Sequence, residues 1–228
     1  MNAQTLTASP PPQAATREAL LNAAERLFSE LGVEATSVRA ITKAANANLG
    51  AINYHFGSKD QLVMEVFTRR LQPLNRERLA RLDALEKAAG KRKLKLEEII
   101  EALVRPAVED REVQSEHETA FMQVICRCFQ EPNPKLKAFV EEQFREIAKR
   151  FDAAVLRAIP DLPPEELYWR MKFFFGALHH GLEMWMRFEK MPHPNPDIQP
   201  AQLDREAFIQ RITAFVAAGL SSPFPKQP

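Results

Sequence analysis

The sequence predicts an all-α chain in which a small N-terminal module of short helices precedes a larger bundle of long ones. Three observations carry that expectation. Apolar residues recur at helical spacing, as in Leu20, Ala24, Leu27, Phe28 and Leu31, and again in Leu136, Val140, Phe144, Ile147 and Phe151. No segment shows the alternation of a half-buried strand. Of the 17 prolines, most cluster, at Pro10 to Pro12, Pro132 and Pro134, Pro160 to Pro164 and Pro192 to Pro200, and so punctuate the chain between helices.

Taken in order, helices are expected near 16–31, 37–44, 48–54, 58–71, 74–89, 96–110, 114–130, 135–158, 164–190 and 203–220, with 58–71 and 74–89 forming one element if Pro73 kinks rather than breaks it. The corresponding units are a disordered tail over 1–15, a short-helix module over 16–62, a helical bundle over 63–222 and a tail over 223–228. The opening MNAQTLTASPPPQAAT has neither a basic start nor an apolar stretch, so it is not expected to be a signal peptide. No apolar run reaches the roughly 18 residues of a membrane span.

Composition narrows the class. The 228 residues are 45% hydrophobic and 27% charged, an ordinary globular balance. Two cysteines, Cys126 and Cys128, would point to different helix faces, which suits a reducing cytoplasm better than a disulfide framework. The net charge of +1 hides an asymmetry. Residues 1–95 carry 15 Lys and Arg against 9 Asp and Glu, whereas residues 96–228 carry 16 against 21. The basic end is where a polyanion is expected to bind.

That end contains NANLGAINYHFGSKDQL, residues 46–62. Upstream, Thr36 and Ser37 can cap a helix running SVRAITKAA, with Val38, Ile41 and Ala45 on one face. The turn falls at Asn46, since Asn tolerates a left-handed conformation best after Gly. A second helix starting near Asn48 would carry Leu49 and Ile52 inward, and the small Gly50 and Ala51 would admit close approach to another surface. This is a helix-turn-helix arrangement, whose second helix enters the DNA major groove. Tyr54 and His55 can donate to phosphate oxygens. Ser58 with Gln61 forms a capping box that places Lys59 in a first helical turn, a phosphate clamp. Phe56 is expected in the core.

Residues 16–67, from TREALLNAAERLF through TSVRAITKAA and YHFGSKDQL, resemble the DNA-binding domain of TetR-family transcriptional regulators. The resemblance implies a ligand-responsive regulator, a repressor that binds palindromic double-stranded operator DNA as a homodimer in the cytoplasm, with no cofactor and no membrane partner. It implies backbone or base contacts from Thr36, Ser37 and Arg39, a recognition face of Asn48, Gly50, Ala51 and Asn53, and phosphate contacts from Tyr54, His55 and Lys59. Leu49 stands where many members carry Lys, and Asn46 where many carry Gly. Asn48 and Asn53 are then the expected base readers, with Ala51 against a thymine methyl.

The C-terminal half is rich in large apolar groups. Phe121, Met122, Phe129, Phe144, Trp169, Phe173 and Phe174 are the expected effector-binding residues. The family's dimer helices match 164–190 and 203–220, which assigns Trp185, Phe188, Phe208, Ile212 and Phe215 to the subunit interface. RRLQPLNRERLARLDAL, KLEEIIEALV and LPPEELYWRMKFFFGA are similar to the subgroup that responds to long-chain fatty acids or acyl-CoA. An acidic head group would want Arg105, Arg127 or Lys172. His179, His180 and Glu183 could sit on one helix face, as metal ligands do, but are read as core or interface groups, with no metal expected. They also define an alternative, a helical enzyme using the apolar cavity; a helical interaction protein is the other. No nucleotide loop or nucleophile-elbow motif is present.

Overall fold

Leu20, Ala24 and Phe28 recur every four residues along the first helix, and in the computed structural model all three are fully buried. The structure describes residues 12–109, 134–186, 195, 197 and 202–223. Eight helices occur among them: α1 (Pro12–Leu31), α2 (Val38–Ala44), α3 (Ala51–Phe56), α4 (Lys59–Ala89), α5 (Leu96–Glu109), α6 (Pro134–Ala158), α7 (Pro164–Met186) and α8 (Arg205–Ser221). The described residues contain no strand. The predicted helix at 114–130 lies outside them.

Three boundaries differ from expectation. The first helix starts at Pro12, inside the predicted tail, because proline costs nothing in a first turn where its missing N–H has no partner to lose. The recognition helix starts at Ala51 rather than near Asn48. Lys59–Ala89 form one helix of 31 residues, about 46 Å long at 1.5 Å per residue, with Pro73 inside it. Pro73 is exposed on the helix surface.

The buried side chains form two clusters. One holds Leu20, Phe28, Ile41, Ile52, Phe56, Leu62 and Phe67, and joins α1 to α3 with the first half of α4. The other holds Leu82, Ile99, Leu103, Phe151, Phe174, Leu178, Phe208 and Ile209, and joins the remaining helices. Helix α6 belongs to both. Its Leu136 and Val140 are buried in the first cluster, and its Ile147, Phe151, Ala154 and Val155 in the second.

Buried ions fix the helix crossings. The Glu25 carboxylate, 4% exposed, is held by Arg69 and by Nε of Arg70 at 2.6 Å, which ties α1 to α4. The Arg170 guanidinium donates through Nη1 to the carbonyls of Leu220 at 2.7 Å and Ser222 at 2.8 Å. It thereby satisfies carbonyls that the end of α8 leaves without helical partners. No helix among the described residues is long and apolar enough to cross a membrane.

Candidate nucleic-acid interface and bundle cavity

The reading module is assembled by local rules. Ser37 caps α2, its Oγ accepting from the Ala40 N–H at 3.1 Å. Asn46 turns the chain with φ of 51°, the expected left-handed conformation. After α3, Gly57 adopts φ of 78°, where a Cβ would be strained. Ser58 then caps α4, accepting from the Gln61 N–H at 3.1 Å.

These turns decide which side chains point outward. Ser37, Arg39, Asn48, Gly50 and Asn53 are exposed, Tyr54 strongly so, and His55 and Lys59 are half-buried. The Tyr54 and His55 rings meet edge to face at 4.9 Å. Thr36 is a correction. It is fully buried, and its hydroxyl donates to the Gly32 carbonyl at 2.7 Å, so it pins the α1–α2 corner and cannot reach DNA. Ala51 is another, being 6% exposed and packed with Ile52 in the first core cluster. Leu49 was expected inward, yet it is 55% exposed, because residues 48–50 form a turn ahead of α3 and escape its helical phase. The apolar group on this face is therefore Leu49. Lys43, exposed in the last turn of α2, adds a cation that the spacing had not singled out.

In the bundle, a cavity of about 700 Å³ opens between α6 and α7, floored by Leu103 of α5. Its apolar walls include Phe144, Ile147 and Phe151 from α6 and Met171 and Phe175 from α7. Residues 159–163 reverse the chain, so Asp152 and Lys172 meet at one end and Glu141, His179 and Glu183 lie toward the other. Burial pushes the Asp152 carboxyl up, and the Lys172 charge pulls it partly back. The Lys172 ammonium also sits over the Tyr168 ring, 5.3 Å from its centroid.

Of the predicted effector-binding residues, Phe144 lines this cavity. Trp169 and Phe173 do not: they are 58% and 69% exposed, stacked at 6.3 Å on the outer face of α7. Phe174 is buried core. Phe121, Met122 and Phe129 lie outside the described residues, as do Arg127 and both cysteines. Arg105 is engaged by Glu206, Glu101 and Glu109, Glu206 doing most to raise its pKa, which leaves Lys172 as the head-group candidate that lines the cavity. The described residues hold no group of three His, Cys, Asp or Glu arranged for a metal ion. Of the α7 wall residues, the sequence singles out Lys172 as a head-group candidate and His179, His180 and Glu183 as the chemistry of the alternative cavity enzyme. Tyr168, Met171 and Phe175 share that helical face but are missed, because α7 is apolar nearly all round and its pattern has no phase to read.

The predicted interface residues divide in the same way. The Trp185 ring stacks on Phe208 at 5.0 Å, and its Nε1 donates to the Leu203 carbonyl at 2.7 Å. Phe208 and Ile212 are buried within the protomer, so these three join α7 to α8 and do not face outward. Phe215 is 68% exposed. Phe188 is outside the described residues. The outward apolar face consists of Trp169, Phe173 and Phe215, beside exposed small residues such as Gly176, Ala214 and Ala218.

Comparison with known proteins agrees with this geometry. Residues 20–66 match the model for bacterial regulatory proteins of the tetR family, and residues 101–219 match a tetracyclin repressor-like C-terminal domain. The HTH-type transcriptional regulator AcrR of Shigella flexneri is 46% identical over 52 residues, 23% of this chain and 24% of that one. The HTH-type transcriptional repressor Rv3405c of Mycobacterium tuberculosis is 51% identical over 45 residues, 20% of this chain and 24% of that one. The chain thus aligns with about a quarter of the length of these curated relatives. Over most of its length it shares its fold with the fatty acid degradation regulator FadR of Bacillus halodurans, at a TM-score of 0.60 and 17% identity, covering 95% of this chain and 100% of that one.

Proposed function

Since the chain belongs to the TetR family and is a DNA-binding transcriptional regulator rather than an enzyme, we propose that it is a repressor that grips a palindromic operator as a homodimer and releases it when an acyl effector fills the bundle cavity. The observation that carries this reading is the outward set Asn48, Leu49, Gly50, Asn53 and Tyr54 above a helix whose Ala51, Ile52 and Phe56 are anchored in the core. In it, Asn48 and Asn53 hydrogen-bond base edges and Leu49 packs on a thymine methyl. Ser37, Arg39, Tyr54, His55 and Lys59 hold phosphates and set the register. One α3 of six residues covers too few base pairs for a specific site, so a second copy related by a two-fold axis reads the other half. Trp169, Phe173 and Phe215 are the face that the second copy covers. The division between reading and sensing runs along α4, with residues up to about 62 in the reading module.

The effector reading is supported by a trough with largely apolar walls whose lining includes the cations Lys172 and Arg145, and by the fold shared with a regulator named for fatty acid degradation. A carboxylate or thioester head would meet Lys172 while the chain lies along Phe144, Phe151 and Met171. Release is then a population shift, with the effector favouring a conformer in which α4 is tilted and the two recognition helices no longer match the groove spacing.

Two outcomes are expected. Against an operator selected from random duplexes, Lys59→Ala weakens binding evenly across sequences and lowers the salt slope by roughly 1, whereas Asn53→Ala relaxes preference at one base pair by about 1–3 kcal/mol. A mobility-shift titration that finds no specific binding at any salt concentration sinks the regulator mechanism. For the effector, oleate or oleoyl-CoA at about 100 times its Kd stabilises the fold by about 2.7 kcal/mol in a thermal melt. Lys172→Ala reduces that gain. Stabilisation by a polar metabolite and not by acyl ligands would show the head-group assignment to be wrong.

A further inference from the structure

Midway along α4, two buried polar side chains reach across to the walls of the cavity. Asn75 is 8% exposed and Arg78 is 3% exposed. The Asn75 Nδ2 donates to the Gln143 carbonyl of α6 at 2.8 Å. The Arg78 Nε donates to the Leu103 carbonyl of α5 at 2.9 Å, and its Nη1 to the Asn75 Oδ1 at 3.2 Å. Leu103 lines the cavity, and Gln143 immediately precedes Phe144, which lines it too. One turn of the helix that carries the reading module is therefore hydrogen-bonded to the backbone of two different cavity walls.

Arg78 is an expensive way to fill a helix crossing. Burial lowers its pKa to about 10, so it remains charged at neutral pH, and no carboxylate among the described residues pairs with it. A well-packed apolar side chain would hold such a crossing as firmly or more so. What apolar packing would lack is direction, since a hydrogen bond to a carbonyl weakens steeply as its angle opens.

We propose that Asn75 and Arg78 are the coupling residues of this regulator, converting a change in the spacing of α5 and α6 into a tilt of α4. The proposal rests on the cavity being the effector site. Because the donors share one turn of α4 and their acceptors lie on separate helices, parting the walls stretches one bond unless α4 moves. A donor left unpaired in the interior is costly, so α4 follows the walls. Phe144 completes the device, because its ring packs against the core cluster of the reading module and also lines the cavity.

The test separates coupling from effector identity by using a steric surrogate. Ala148 faces the cavity, and Ala148→Trp places an indole where a ligand would lie. In an otherwise native chain, this change is expected to weaken operator affinity by about tenfold or more, within the usual span of allosteric couplings. Asn75→Ala alone leaves operator affinity within about threefold of native, and with Asn75→Ala already present the added Ala148→Trp costs less than about threefold. Should Asn75→Ala fail to fold, Arg78→Lys keeps the charge while losing the planar fork, and takes its place in the same cycle. An equal loss in both backgrounds, or none in either, overturns the proposal. Oleoyl-CoA is titrated in parallel. If it fails to release operator while the surrogate remains coupled through Asn75, the coupling stands and the acyl reading falls.

Discussion

Phe173→Glu is expected to leave a folded monomer that has lost operator binding by at least about a hundredfold. Within one protomer the ring is 69% exposed and stacked on Trp169, so a carboxylate there removes little buried surface. In a dimer built on the outer faces of α7 and α8, the same ring would be buried with Trp169 and Phe215. Aromatic side chains bury about 150–250 Å² each, and two copies meet at a two-fold axis. The substitution removes two such contacts and introduces two carboxylates into an apolar patch, a change large enough to separate the subunits. The operator then meets one recognition helix at a time, and the affinity contributed by the second half-site disappears. Analytical ultracentrifugation, circular dichroism and a mobility-shift titration read the three quantities separately. A stable dimer with unchanged operator affinity would place the subunit interface on some other face.

Glu25→Ala has the second largest effect expected, on stability rather than on assembly. Its carboxylate is 4% exposed and receives hydrogen bonds from Arg69 and Arg70, the brace between α1 and α4. Removing one partner of a buried pair leaves the other charges without compensation, typically at a cost of about 3–5 kcal/mol. Here the arginines are 26% and 30% exposed, and Arg69 keeps Glu18 and the Asn22 side chain as partners. Solvent and those partners bring the expected loss down to about 2–3 kcal/mol. Glu25→Gln, which keeps an acceptor but not the charge, should fall between native and Ala. Urea unfolding at neutral pH is the measurement. A change below about 0.5 kcal/mol would mean that the brace adds nothing beyond packing.

The two braces on α4 divide the labour of the chain. Glu25 with Arg69 and Arg70 ties α1 of the reading module to the first half of α4. Asn75 and Arg78 hold the middle of the same helix to the cavity walls. Between them, Leu71 and Leu74 are buried, one in each core cluster. On the proposed coupling, the 31-residue helix would carry a small displacement at the cavity toward the recognition helix without any loop having to refold.

How legible the protein was depends on the range of the force involved. Asn46 in its left-handed turn and Ser58 at its cap were readable because both are decided within three or four residues. The helices were readable because a long amphipathic repeat has only one good solution. Thr36 was misread because its hydroxyl turns in to the Gly32 carbonyl at the α1–α2 corner. Ala51 and Leu49 were misread for one reason. A helix of six residues has too few apolar positions to define which way it faces, and the packing of α1 and α4 against it settled the matter. The aromatics of α7 were misread for the opposite reason: there are so many that every face looks buried.

By itself, the sequence determined the helical class, where most helices lie, and that residues 37–56 make a helix-turn-helix, since periodicity, caps and turn residues act locally. Only the tertiary structure decided that Trp185, Phe208 and Ile212 close the protomer while Trp169, Phe173 and Phe215 are left on its surface. It alone brought Asn75 and Arg78 to the carbonyls of Gln143 and Leu103, residues 68 and 25 positions away in the chain. Burial is a property of how helices pack against one another, and one helix's composition does not contain the shape of its neighbours.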